Sequence, residues 1–246
     1  TLSAAASAAI EAATTGYATQ IADVDLVPLD FDAFGKDEIK TWGCSPDAAL
    51  QMAYQIAYFQ LHGSMPPTYE ACATRGFFHG RTETIRSCTS AGQAVCKAVA
   101  EGKPAEEIKP LYIAACKGHS GVTKAAATGG GIDRHLTALE KMAQKETPEA
   151  VPGIFSDPTF LKSKTWGLST SNGSAPYLDA FGFGAVDANG YGIGYLIGGK
   201  SVAFNISSYK SAEGTDSAKF SEKLTETLKM LQGVFAAPAP PPAAAE

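Results

Sequence analysis

The apolar pattern of this chain changes period once, near residue 150, and that change limits the fold more than any single motif. Before it, residues 3–22, 47–62, 90–101, 104–118 and 131–146 have helical spacing or helix-forming composition. After it come four short β-rich runs, WGLSTS, YLDAFGFG, YGIGYLI and SVAFNISSY. Asn189-Gly190 favours one tight hairpin among them and Gly198-Gly199 a second. Residues 216–232 then return to helical spacing, with Phe220, Leu224, Leu228 and Leu231 on one stripe. Helices, then hairpins, then a helix is the order of a layered α+β domain, with helices packed on a mostly antiparallel sheet. Ahead of all this, DVDLVPLDFDAFG alternates Val24, Leu26, Leu29 and Phe31 with acidic residues, as an extended segment does.

Ser45-Pro46-Asp47 is a helix start: serine caps, proline suits the first turn, and aspartate suits the positive end of the dipole. The helix it opens, AALQMAYQIAYFQLHG, is apolar on nearly every face and therefore buried, and it stops at Gly63. Residues 1–235 read as one folded unit; AAPAPPPAAAE, 236–246, reads as a disordered Pro/Ala-rich tail. A net charge of −5 argues against a nucleic-acid or anionic-membrane surface, both of which need a basic face. No run approaches the ~18 apolar residues of a transmembrane helix. The five cysteines (Cys44, Cys72, Cys88, Cys96, Cys116) include no CxxC pair, so free thiols in a reducing compartment are expected, and no metal site.

Four segments carry chemistry. Within FGKDEIKTWGCSPDAALQMAYQIAYF, Lys36 and Lys40 are four apart, so one helical turn aims both ammoniums the same way, just before a helix amino-terminus. Paired cations there can hold a phosphate, although a solvated lysine pair has the same spacing. TYEACATRGFFHGRTETIRS contains Tyr69 and Thr82, and GIDRHLTAL contains Arg134. Taken separately these are a packed tyrosine, a surface or turn threonine and a helix-face charge. In LSTSN, Ser169 and Ser171 fall on one side of a presumed strand and Thr170 on the other. FGAVDANGYGIGY follows, beginning at Phe183, which alone would be read as core.

In this order and at these spacings the four segments resemble the carnitine/choline acyltransferase family, over about residues 5–232. The resemblance is to the carboxyl-terminal half of a protein more than twice as long, with the coenzyme A-dependent acyltransferase fold. It implies that Lys36 and Lys40 meet the 3′-phosphate of coenzyme A with Asp47 beside that co-substrate. It implies that Tyr69, Thr82 and Arg134 converge on the carboxylate of carnitine, with Ser169 nearby and Phe183 against the trimethylammonium group. Ser171 would donate to the oxyanion of the tetrahedral intermediate. Choline is the less expected acceptor, because Thr82 and Arg134 suit a carboxylate that it lacks. Two positions depart from the family pattern: Ala71 stands where serine is usual and Ala185 where proline is usual.

The family's general-base histidine lies further upstream of the coenzyme A lysines than the 35 residues preceding Lys36. The histidines present are His62 at a helix end, His79 and His135 inside family segments, and His119 in a KGHSG turn. None is expected to replace that base, so acyl transfer between coenzyme A and carnitine would need a second polypeptide or an upstream half. The alternative is an inactive subunit with a structural role in a large multi-subunit mitochondrial assembly. A mitochondrial location, on the matrix side, is expected, with the peroxisome as the alternative.

Overall fold

In a computed structural model the structure describes residues 1–236. The expected tail lies outside these, except for Ala236, the last residue of the final helix. Among these residues six strands form one open sheet: β1 (Val24–Phe31), β2 (Thr68–Ala73), β3 (Thr82–Ile85), β4 (Leu168–Asn172), β5 (Tyr191–Ile197) and β6 (Val202–Tyr209), in the order β1-β6-β5-β4-β2-β3. The β1–β6, β5–β6 and β2–β3 ladders are antiparallel, whereas β2–β4 and β4–β5 are parallel. The sheet is therefore mixed, with antiparallel ladders in the majority.

Among the described residues eight α-helices accompany it: α1 (Ala4–Asp23), α2 (Lys36–Thr41), α3 (Pro46–His62), α4 (Ser90–Ala100), α5 (Ala105–Ala127), α6 (Asp133–Glu146), α7 (Pro158–Ser163) and α8 (Ser217–Ala236). Helix α3 is buried from Ala48 to Ala57, as its all-round apolar sequence requires, and ends at Gly63 in the left-handed conformation (φ +69°) that glycine adopts without strain. Ser45 occupies the cap position, but its side chain makes no capping hydrogen bond. The stripe Phe220, Leu224, Leu228 and Leu231 of α8 joins Leu50, Met52 and Ile56 of α3 and Tyr191, Ile193, Tyr195, Phe204 and Ile206 of the sheet in one core. Each such side chain contributes roughly 1.5–3 kcal/mol by leaving water. Helix α1 buries none of its residues.

Three expectations need correction. YLDAFGFG is not a strand, and Asn189-Gly190 does not close a hairpin, because β4 and β5 run parallel and the chain between them must cross back. That connection lies flat on one face of the sheet. Side chains of Asn205, Ser207 and Tyr209 bond the carbonyls of Phe181, Phe183 and Ala185, and glycine at 192 and 194 leaves the space, since a Cβ there would reach within 2.6 and 2.5 Å of neighbouring atoms. Gly198-Gly199 does turn β5 into β6. Finally, KGHSG is not a turn: α5 continues through it to Ala127, with His119 buried and Gly118 and Gly121 facing open space.

Candidate functional site

Alternation along the strands gives the sheet two faces. Thr68, Glu70 and Thr170 are buried toward the helices, and Tyr69, Ser169 and Ser171 stand on the opposite face. Tyr69 pairs with Ser169 across the parallel β2–β4 ladder. Thr82 begins β3 on the same side as Tyr69, and α6 brings Arg134 over both.

The contacts are direct. Arg134 Nη2 donates to the Tyr69 hydroxyl and to the Thr82 hydroxyl, each at 3.1 Å, and Nε donates to the Thr82 carbonyl at 3.2 Å. A guanidinium only donates, so both hydroxyls act as acceptors and keep their own protons unspent. Among the described residues Nη1 has no hydrogen-bond partner. One cation and two hydroxyl groups are thus gathered within hydrogen-bond distance, a set of donors suited to a carboxylate. The guanidinium carbon also lies 5.8 Å from the Tyr69 ring centroid.

Residues that sequence reasoning passed over hold Arg134 in place. Helix α6 has no side-chain cap of its own. Glu83 Oε1 serves instead, accepting from Thr84 N at 2.7 Å and from Arg134 N at 3.4 Å. Arg86 Nε bonds Asp133, the first residue of α6, at 3.0 Å, and its guanidinium stacks 4.9 Å from the centroid of Trp166, which packs edge-on against Tyr69. The RTETIR segment, which alternates charge and β-formers, is the signal that could have found Glu83 and Arg86. Gly131 makes room for Glu83, since a Cβ there would come within 2.2 Å of its Cγ. Gly131→Ala is therefore expected to displace the Glu83 carboxylate and destabilise the protein by about 1–3 kcal/mol, read as a lower midpoint in thermal unfolding.

Lys36 and Lys40 lie on α2, both exposed. The amides of Lys36 and Asp37 donate to the carbonyls of Gly198 and Gly199, which fixes α2 on the β5–β6 turn, and Lys36 rims a cavity of about 360 Å³ with Ser174, Pro176 and Leu196. Asp47 is half-buried at the start of α3, where its Oδ1 accepts from Tyr195 Oη at 2.7 Å and from Asn172 Nδ2 at 3.0 Å. It is thus joined to the end of β4, next to Ser171, rather than to the lysines. Phe183 lies 6.0 Å from the Phe181 ring and lines a mostly apolar cavity of about 410 Å³ with Val24, Leu26 and Asn205.

No histidine is bonded to Ser169 or Ser171 among the described residues. His62 packs against Tyr58 and Tyr191, and burial pushes its pKa down. His79 and His135 are exposed. His119 is on the helix side of the sheet, with Nε2 2.6 Å from Glu70 Oε2. Its ligand atom, with those of Glu70 and Asp47, forms a group within 4.8 Å that could hold a metal ion, but in this structure imidazole and carboxylate bond each other directly. Among the described residues no helix is long and apolar enough to cross a membrane.

A family profile described as Choline/Carnitine o-acyltransferase matches residues 1–226. Mitochondrial carnitine O-acetyltransferase of Saccharomyces cerevisiae is 39% identical over 200 residues, 80% of this chain and 30% of that protein. Human choline O-acetyltransferase is 37% identical over 85% of this chain and 28% of its own length. Rat carnitine O-acetyltransferase is 35% identical over 89% of this chain and 35% of its own. The chain spans about a third of the length of these curated relatives.

Proposed function

Because the chain belongs to the choline/carnitine O-acyltransferase family, we propose that it is the carboxyl-terminal part of a carnitine O-acyltransferase, moving an acyl group between coenzyme A and carnitine. The supporting observation is the Tyr69–Thr82–Arg134 cluster, an exposed cation with two unspent hydroxyl protons on the face of the sheet that bears Ser171. Carnitine carries a carboxylate for that cluster, and choline does not.

In the proposed reaction a histidine from outside these 246 residues removes the proton of the carnitine hydroxyl. The oxygen forms a bond to the thioester carbonyl carbon, and the carbonyl electrons move onto oxygen, where the Ser171 hydroxyl donates a hydrogen bond. Collapse breaks the carbon–sulfur bond, and the thiolate of coenzyme A takes the proton back from the imidazolium. Lys36 and Lys40 hold the 3′-phosphate of the co-substrate with Asp47 beside it, Ser169 lies beside carnitine, and Phe183 faces the trimethylammonium group. The chain is inactive alone and acts with a polypeptide or upstream half that supplies the histidine. A mitochondrial setting follows the name of the yeast relative.

The test combines the chain with that second part and follows thiol release from acetyl-coenzyme A with L-carnitine as acceptor. Carnitine-dependent release is expected, and Ser171→Ala should lower kcat on the order of 10²-fold with the carnitine KM little changed. Absence of release from the reconstituted pair, or full kcat in the alanine variant, would count against the proposal.

A further inference from the structure

Behind the sheet, on the face away from Arg134, lies a polar cluster that the proposed reaction does not use. Glu70 is 3% exposed and His119 1%. Glu70 Oε2 meets His119 Nε2 at 2.6 Å and accepts from Ser87 Oγ at 2.9 Å. The Asp47 carboxylate lies within 4.8 Å of that pair. From Asp47 a chain of hydrogen bonds runs through buried side chains to the other substrate-facing strand. Tyr195 Oη donates to Asp47, Gln51 Nε2 bonds Tyr195 Oη and Thr170 Oγ1 at 3.0 and 2.9 Å, and Thr170 Oγ1 donates to the Tyr69 carbonyl at 3.0 Å. Asn172, beside Ser171, is bonded to Asp47.

The cluster thus grips Glu70 and the Tyr69 carbonyl on β2, and Thr170 and Asn172 on either side of Ser171. Glu70 and Thr170 are the residues that alternation sends inward when Tyr69 and Ser171 point outward, and Ser87 follows β3, which carries Thr82. A hydrogen bond between two buried groups in a low dielectric fixes orientation strongly, since neither has water as a substitute.

We propose that His119 is a positioning residue: by holding the Glu70 carboxylate from α5, it sets Tyr69 and Ser171 against Arg134 from the opposite side of the sheet. Its consequence for catalysis rests on the reading of Arg134 as a carboxylate site, whereas the positioning itself does not. The titratable groups facing Glu70 are Asp47 and Tyr54 from α3, His119 from α5, Tyr195 from β5 and Cys72 two residues along β2, with Glu83 beyond it on β3. Burial pushes the Glu70 carboxyl up to about 7, so a change in its protonation falls in an accessible pH range.

The test is a pH titration by NMR of the Tyr69 ring and the Arg134 Nε–H, in a His135→Gln background that removes the imidazole next to Arg134. Both signals are expected to move with one midpoint near pH 7, although neither residue touches the cluster through its side chain. Glu70→Gln should abolish the transition, and His119→Gln, which removes the contact that lowers the Glu70 pKa, should move its midpoint upward. Signals that stay flat from about pH 5.5 to 8.5, or that still titrate in Glu70→Gln, overturn the proposal. No ligand is needed, so the result is independent of whether carnitine binds, and the titration of the parent protein decides even if a variant fails to fold. In the reconstituted enzyme His119→Gln should raise the carnitine KM about tenfold and leave the coenzyme A KM unchanged. An equal rise in both would show general loosening and also overturn it.

Discussion

Arg134→Ala is expected to lower kcat/KM for carnitine on the order of 10³-fold while changing activity toward choline by less than about threefold. Truncating one member of a hydrogen-bonded charge pair costs roughly 2–5 kcal/mol, and the upper part of that range applies when the partner is an anion already stripped of water. The variant loses more than charge. With the guanidinium gone, the Tyr69 and Thr82 hydroxyls have no common donor to hold them 3.1 Å from one point, so the shell loses its shape with its cation. Arg134→Lys should recover part of the loss, because an ammonium keeps the charge but lacks the fork that reaches Tyr69 Oη, Thr82 Oγ1 and the Thr82 carbonyl together. Steady-state kinetics with both acceptors separates the alternatives. Equal losses for carnitine and choline would mean that Arg134 supports the fold and not the carboxylate.

Much of the scaffold is legible in local sequence. Ser45-Pro46-Asp47 marks the start of α3, Gly63 its end, and the Phe220–Leu231 stripe α8, because caps and 3.6-residue spacing act within one element. The carboxylate cluster is not legible in that way. Tyr69 and Arg134 are 65 positions apart and Thr82 and Arg134 52, so no period or spacing joins them, and the expectation that they meet came from resemblance. The two misread segments share one cause. Residues 177–184 alternate large and small side chains as a strand does, yet their carbonyls are taken by Asn205 and Ser207, and the glycines of β5 let them lie flat on the sheet. Glycines flanking His119 looked like a turn, yet both face open space on a 23-residue helix anchored by a bond to a strand 49 positions earlier. Tertiary contacts overrode local propensity in both places. Glu70 and Glu83 were passed over because their work is inward, on neighbours that only the fold supplies.

The stability of the protein should fall as pH rises from about 4.5 to about 7, and Glu70 is the reason. Its carboxyl is pushed up to about 7 chiefly by burial, against an ordinary value of 4.5, while the hydrogen bond to His119 opposes the shift. Between those pH values the folded chain holds a proton that the unfolded chain has released, so the unfolded state binds fewer protons and the unfolding free energy has a negative slope with pH. The contribution is fully present below about 4.5 and lost above about 7. At about 1.4 kcal/mol for each pH unit of separation it amounts to roughly 3 kcal/mol. Asp216 acts with the opposite sign, because the Lys219 amide and side chain hold its pKa low, but its carboxylate is largely open to water, which screens it. Glu70→Gln keeps the shape and removes the titration. Urea unfolding at fixed pH values should therefore give curves that nearly coincide at pH 4.5 and diverge by up to about 3 kcal/mol at pH 8, with the glutamine variant the more stable. A constant difference across that range would mean that the Glu70 charge is already compensated inside the fold, by His119 or by the hydroxyl of Ser87, and that burial of this carboxylate carries no net penalty.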